Sequence, residues 1–243
     1  MNAFSLCRQH YPFLLLTCLC LAGTARADPA TPVPPFEAAY TVSRAGIPVG
    51  EAVLQLEYEG DDRYRLRSSL HSNQLASLLD ERSEIEEVEG ELVEGMLRPQ
   101  RYRAEKSGSE KRTISMDFDW GLRKVTIAVN GKQSCLRLDP HTLDPLSLHL
   151  LIMLDLRSGM LAEQYEVASG DRLKTYRVRS LGETRTATSI GEFATVAVSR
   201  QRVHSSKETT FWHAPELDFL PVQVSRTKDG NEKSRLTLDR LKR

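Results

Sequence analysis

The chain has 6 histidines and 4 cysteines, the side chains from which metal sites, nucleophiles and proton shuttles are most often built. No two of His71, His141, His149, His204 and His213 stand three or four residues apart, the spacing that sets two imidazoles on one face of a helix. The best candidate metal cluster is His141 with Asp139 and Asp144. A zinc site needs three or four convergent donors, and Asp144-Pro145 reads equally as the start of a helix, so a polar loop is the preferred reading. Cys135 lies beside Leu136 and Leu138. If those leucines face the core, the thiol points the other way with Gln133 and Arg137. A nearby arginine lowers a thiol pKa, but no adjacent histidine or second cysteine marks Cys135 as a nucleophile. The sequence contains no Gly-x-Ser-x-Gly elbow, no His-Glu-x-x-His, no phosphate-cradling glycine loop and no Cys-x-x-Cys, each of which would carry a specific chemistry. The expectation is therefore a protein without catalytic machinery, metal or cofactor. An enzyme, were there one, would draw first on Cys135, His141 and His149.

Charge falls in blocks. Asp80, Glu81, Glu84, Glu86, Glu87, Glu89, Glu91 and Glu94 are followed by Arg98, Arg101, Arg103, Lys106, Lys111 and Arg112. Opposite charges on successive strands pair across a sheet, each pair contributing a few tenths to about 1 kcal/mol, so mutually compensating solvated strands are expected ahead of an acidic docking surface for a basic partner.

The N-terminus carries Arg8, an apolar run from Phe13 to Leu21 and then Ala25-Arg26-Ala27. The run is well short of the roughly 20 apolar residues that a membrane-spanning helix needs. It has the form of a signal peptide with cleavage after Ala27. Neither Cys18, after Thr17, nor Cys20, after Leu19, has the small preceding residue of a lipoprotein site, and no paired arginines precede the run. A soluble periplasmic protein beginning at Asp28 is expected, with no transmembrane anchor. Removal of residues 1–27 takes away Arg8 and Arg26 and no acid, so the formal charge moves from 0 to −2. That balance argues against nucleic acid as a partner. Cys135 alone remains, so no internal disulfide supports the fold.

Residues 28–35 hold Pro29, Pro32, Pro34 and Pro35 and read as an extended tether, because proline lacks the donor that sheet pairing needs. From Phe36 to the C-terminus, expected to be one β-rich domain, the dominant signal is alternation with period two. Phe36, Ala38, Tyr40 and Val42 share one side, as do Ala52, Leu54, Leu56 and Tyr58, with Gly46 to Gly50 between them as the turn. Tyr64, Leu66 and Leu70 alternate with arginines. Ile114, Met116, Phe118 and Trp120 lead to Val125, Ile127 and Val129 and an Asn130-Gly131 hairpin signal. Further strands are expected at 162–168, 172–180, 184–190, 192–203, 207–213, 220–227 and 232–240, with Gly182 as a turn. About a dozen close-spaced strands without regular helices predict antiparallel neighbours curling into a half-barrel or open barrel. Two segments break the pattern. Asn73 to Leu79 suits about two helical turns. Leu146 to Leu156 is apolar almost all round, with Asp144 as cap, Pro145 at the first position and Gly159 at the exit. A helix of that kind must be buried on nearly every side, and is expected on the concave face of the sheet.

Several of these residues together resemble a known family. Phe36-x-Ala38-x-Tyr40-x-Val42, Gly46-Ile47-x-Val49-Gly50-Glu51, Asp144-Pro145-Leu146-Ser147, Leu156-Arg157, and Trp212 with Leu220-Pro221-Val222 are similar to the envelope family called domain of unknown function 3108, over about residues 36–240. The resemblance implies compartment and fold, and no reaction. Phe211-Trp212, Leu220 to Val224, Asp229-Gly230-Asn231 and Leu236-Thr237-Leu238 are also similar to the end of periplasmic lipoprotein carriers, half-barrels with a helical lid over a cavity for acyl chains. The leading expectation is a non-enzymatic binding module for a lipid, acyl chain or lipoprotein, its cavity lined by Tyr40, Leu54, Tyr64, Met116, Phe118, Met153 and Trp212. The alternative is an envelope assembly or interaction protein with a filled core, whose partner is another envelope protein.

Overall fold

The structure, a computed structural model, describes residues 32–60, 62–72, 83–108 and 111–243. The expected signal peptide and the expected helix at 73–79 lie outside the described residues. Fourteen antiparallel strands form one meandering sheet in the order β8-β7-β6-β5-β4-β3-β2-β1-β14-β13-β12-β11-β10-β9. The first half comprises β1 (Phe36–Arg44), β2 (Ile47–Glu59), β3 (Arg63–Ser72), β4 (Ser83–Val93), β5 (Met96–Lys106), β6 (Arg112–Asp119), β7 (Lys124–Val129) and β8 (Lys132–Arg137). The second comprises β9 (Gln164–Ser169), β10 (Arg172–Thr188), β11 (Gly191–Arg202), β12 (Lys207–Ala214), β13 (Leu220–Lys228) and β14 (Asn231–Lys242). Between the two edge strands β8 and β9 the chain forms the single α-helix among the described residues, α1 (Ser147–Ser158).

The sheet must curl, and distances show why. Tyr64 on β3 and Arg200 on β11 stand six strands apart in the sheet, about 29 Å if it were flat at roughly 4.8 Å per strand. Both reach α1, through Ser147 at 2.8 Å and His149 at 3.3 Å, two positions apart on a helix only about 10 Å wide. The helix therefore lies within the concave face, as its composition predicts. Asp144 starts it as expected: its Oδ1 accepts from the Leu146 and Ser147 N–H groups at 2.8 and 3.0 Å, meeting donors that the first turn leaves unpaired. Gly159 ends it with φ of 72°, the left-handed geometry glycine adopts at no steric cost.

Turn chemistry corrects the sequence reading at two places. The β1–β2 turn is only Ala45-Gly46, so Ile47 to Gly50 already pair with β1 as strand. A side chain on Gly50 would stand 2.3 Å from the His71 carbonyl oxygen, so glycine is required there by a neighbouring backbone. Gly182, read as a turn, is instead a bulge at which the β10–β11 register shifts. The segments 172–180 and 184–190 are thus one long strand. The tip of this hairpin reaches β14, where Ser189 donates to the Leu238 carbonyl at 3.1 Å. The proline-rich lead-in is also partly docked: Val33 is 1% exposed within the core, and the Pro32 carbonyl accepts from Arg157 at 3.2 Å.

Leu148, Leu150, Ile152 and Met153 of α1 are each at most 2% exposed, and a fully buried aliphatic side chain contributes about 1.5–3 kcal/mol. Replacing Leu150 with Asp buries a charge without a partner, at a cost of several kcal/mol against a marginal total stability. Thermal denaturation of purified Leu150→Asp protein should show loss of the cooperative transition; wild-type melting would refute this placement of the helix.

Candidate functional site

Side chains inside the curl fall into two zones, and the same strands supply both. Toward the end from which α1 enters, the inward positions Leu56, Leu66, Val88, Tyr102, Met116, Val178, Val198 and Leu238 are at most 2% exposed. One or two alternate positions further along, Leu54, Leu70, Glu86, Ala104, Ile114, Tyr176, Arg200 and Leu236 are half-buried. All of the latter lie toward the end where β1 turns into β2 and β13 into β14. Among the described residues, the interior is thus plugged by α1 at one end and left uncovered at the other.

This division decides where the expected cavity residues fall. Tyr40, Tyr64, Met116 and Met153 are sealed, at 3% exposure or less, and Phe118 is 9% exposed and stacked on Trp120. They pack as core. The Tyr40 hydroxyl donates to the Pro221 carbonyl at 2.9 Å, and Tyr64 bonds Ser147. Tyr64 passes over Gly90, where an added Cβ would lie 2.5 Å from its hydroxyl oxygen. Trp212 alternates with Phe211 and His213, and Phe211 meets the His149 ring of α1 edge-on at 5.2 Å. Trp212 therefore projects from the opposite side of β12 and does not join the others. Of the seven, Leu54 alone borders the open zone.

The residues missed from sequence are polar ones at inward positions. Arg200 follows Val196 and Val198 in the alternation of β11. Arg226 follows Val222 and Val224 in β13, and Glu84 and Glu86 precede Val88 in β4. A charge continuing an apolar stripe was the signal that would have found them. Arg200 is held between the rings of Tyr176 and Phe211, with centroids at 5.4 and 5.1 Å. Its pKa falls to about 10, chiefly because burial disfavours the charged form. His149, beside it, is pushed well below 6.5 by burial and then by Arg200 and Arg226, so the neutral ring accepts from the guanidinium. Across the interior Glu86 accepts from Tyr102 Oη at 3.0 Å, and burial, followed by Glu84, raises its pKa.

The outer faces of the same strands hold the charge ladder expected from the blocks. Glu89 lies 2.7 Å from Arg65 and 3.3 Å from Arg101, and Arg103 lies 3.0 Å from Asp117. Cys135 is exposed, as is His141, whereas His149 is inside, so these three are not brought together. Asp139 and His141 face solvent while Asp144 is buried at the start of α1. Among the described residues no cluster of three or more His, Cys, Asp or Glu side chains could hold a metal ion, and no helix is long and apolar enough to cross a membrane.

An open, curled antiparallel sheet around one buried helix defines a β-barrel-like protein. This chain belongs to the family described as protein of unknown function DUF3108, which matches residues 39–237. No curated protein sequence matches it. A β-barrel-like protein of the domain of unknown function DUF1849 from Brucella abortus has a similar fold, with a TM-score of 0.59 and 10% identity, over 87% of this chain and 98% of that one. A protein of YmcC-like fold from Bacteroides fragilis aligns with a TM-score of 0.38 and 9% identity over the same shares.

His213, on the inner side of β12, gives the fold a pH dependence. It is 2% exposed, its Nδ1–H donates to the Phe219 carbonyl at 2.7 Å, and Nε2 is buried without a partner. Burial lowers its pKa from 6.5 to about 4. On acidification the unfolded chain takes up this proton first, so stability is complete above pH 6.5 and declines until about pH 4. The loss amounts to about 3 kcal/mol. Glu86 and Asp144, raised by burial, act in the opposite sense, so a variant is needed to isolate the histidine. In urea titrations at pH 7 and pH 4, wild type should lose about 3 kcal/mol more than His213→Gln; equal losses would refute the assignment.

Proposed function

We propose that this chain is a non-enzymatic binding module of the cell envelope that holds an acyl chain or acylated protein at the open end of its curled sheet. The observation that carries the reading is the half-open zone itself. Leu54, Leu70, Ala104, Ile114 and Leu236, from five strands, are half-buried where they pack against the core and offer an apolar floor at this end. Ligand sites are concave, mostly apolar and edged by a few polar groups, and Glu86, Tyr176 and Arg200 stand at this edge. The similarity of residues 211–238 to the end of periplasmic lipoprotein carriers supports the same occupant, and the signal-peptide pattern of residues 1–27 supports a periplasmic setting. That Tyr40, Tyr64, Met116 and Met153 are sealed favours a second reading, an envelope interaction protein with a filled core and a working outer surface.

Two measurements test the proposal. Native mass spectrometry of protein purified from the periplasm should show a chain starting at Asp28 and carrying a lipid. A membrane-bound form retaining residues 1–27 would overturn the location. A fluorescent fatty-acyl probe should bind wild type and bind Ile114→Asn about tenfold more weakly, the equivalent of about 1.4 kcal/mol, with melting temperatures nearly equal because Ile114 is only half-buried. Failure of wild type to bind the probe or to carry lipid would move the assignment to the interaction reading.

A further inference from the structure

Beside the apolar floor, the edge formed by β10 to β13 is strongly basic. One concavity of about 530 Å³ is lined by Arg200, Arg202, Lys207 and Arg226 together with Tyr176. A second, of about 650 Å³, is lined by Arg172, Lys174 and Arg202. They share Arg202 and His204, so they adjoin. The only carboxylate lining either is Asp171, and it is already engaged by Arg172 at 3.0 Å. Among the described residues, Arg202, Lys207 and Arg226 have no side-chain hydrogen bond or ion pair. Arg200 makes one hydrogen bond, to His149, out of the five N–H donors a guanidinium carries. Elsewhere Arg65, Arg101, Arg103, Arg185, Arg235 and Arg240 meet carboxylates, and what sets this edge apart is that several cations without a carboxylate line one concavity together. The cations at this edge repel one another, since Lys174 has a lowered pKa, first from burial and then from Arg202, Arg112 and Arg172. Glu86 attracts Arg226 and Arg200 from across the interior, but its own burial favours the neutral acid.

Converging positive charge without acceptors marks a place for an anion. A carboxylate brings one charge and two oxygens, which a single arginine fork satisfies. Arg200, Arg202 and Arg226 together offer more donors than that, and a phosphate ester, with up to two charges and three terminal oxygens, matches them. Each concavity falls in the range of about 300–1,000 Å³ typical of ligand sites, so there is room for a headgroup around the phosphate.

We propose that the cleft lined by Arg200, Arg202, Lys207 and Arg226 binds the phosphate ester group of an amphiphile whose acyl portion lies on the floor of Leu54, Leu70 and Ile114. The phosphate assignment stands on the cleft alone; its attachment to an acyl chain rests on the function proposed above. Three probes separate the two: dioctanoyl phosphatidic acid, dioctanoylglycerol with the same tails and no phosphate, and glycerol 3-phosphate with no tail. Calorimetric titration of wild type should show phosphatidic acid binding at least about tenfold more tightly than dioctanoylglycerol. The double variant Arg202→Gln, Arg226→Gln should abolish that advantage while leaving dioctanoylglycerol binding and melting temperature unchanged, both arginines being exposed. Equal affinity for phosphatidic acid and dioctanoylglycerol, or an unaltered phosphatidic acid affinity in the double variant, would overturn the phosphate site and leave the acyl reading standing. Glycerol 3-phosphate binding as tightly as phosphatidic acid would support the phosphate site and remove the acyl reading.

Discussion

Helix α1 can be stable only if nearly all of its circumference is out of water, because eight of the eleven residues from Leu146 to Leu156 are apolar and they do not segregate to one face. A flat sheet would cover one side of such a helix and leave the rest wet. A sheet that curls around it covers both flanks, bringing β3 and β11 to neighbouring residues of the same helix. The contacts are anchored at the helix start. Asp144 holds two free N–H groups, and Ser147 meets the Tyr64 hydroxyl, which reaches it because Gly90 has no side chain in the way. From that burial follow the curl of the sheet, the sealed end of the interior and the position of the opposite, open end.

The curl also explains the two different fates of charge. On the outer face, Arg65, Glu89, Arg101 and Asp117 alternate in sign across four neighbouring strands, in high dielectric, where each pair is worth little but like charges are kept apart. Inside, the same alternation of β4 sends Glu84 and Glu86 inward, and that of β11 and β13 sends Arg200 and Arg226 inward. There burial penalises charge, lowering the pKa of Arg200 and raising that of Glu86, and there is less water to screen what remains. Aromatic rings flank Arg200 in place of a carboxylate. Half-buried Arg200, bonded to His149 and to no carboxylate, and the exposed Arg202 and Arg226 that line the same concavity leave an excess of positive charge that an anion would offset, which is the physical ground for a ligand at that edge.

Much of this architecture was legible in the chain. Period-two alternation located the strands, the Asp144-Pro145 and Gly159 signals bounded the helix to within two residues, and its all-round apolarity placed it on the concave face. The misreadings have local causes. Gly50 and Gly182 were read as turn residues, because a glycine required by a neighbouring backbone or by a bulge looks the same in sequence as one required by a turn. Trp212 counts in sequence among the apolar residues of the expected lining, whereas its register opposite Ala197 and Gln223 puts it on the other face. Tyr40, Tyr64, Met116, Phe118 and Met153, expected to line a cavity, pack as core, since an apolar side chain carries no mark of whether a helix or a ligand will cover it.

The sequence by itself determined which residues alternate, where the chain turns and which short segment must be buried, because each depends on neighbours within a few positions. Tertiary structure alone decided how far around α1 the sheet wraps, which end of the interior is plugged, and that Arg200 and Arg226, 26 residues apart in sequence, line one concavity with Tyr176. Those outcomes depend on register summed over fourteen strands and on the bulges that bend them. The local alternation marks each of these charges as inward, but a one-residue change in the pairing of β11 or β13 would alter which of them meet, so their convergence is not specified locally.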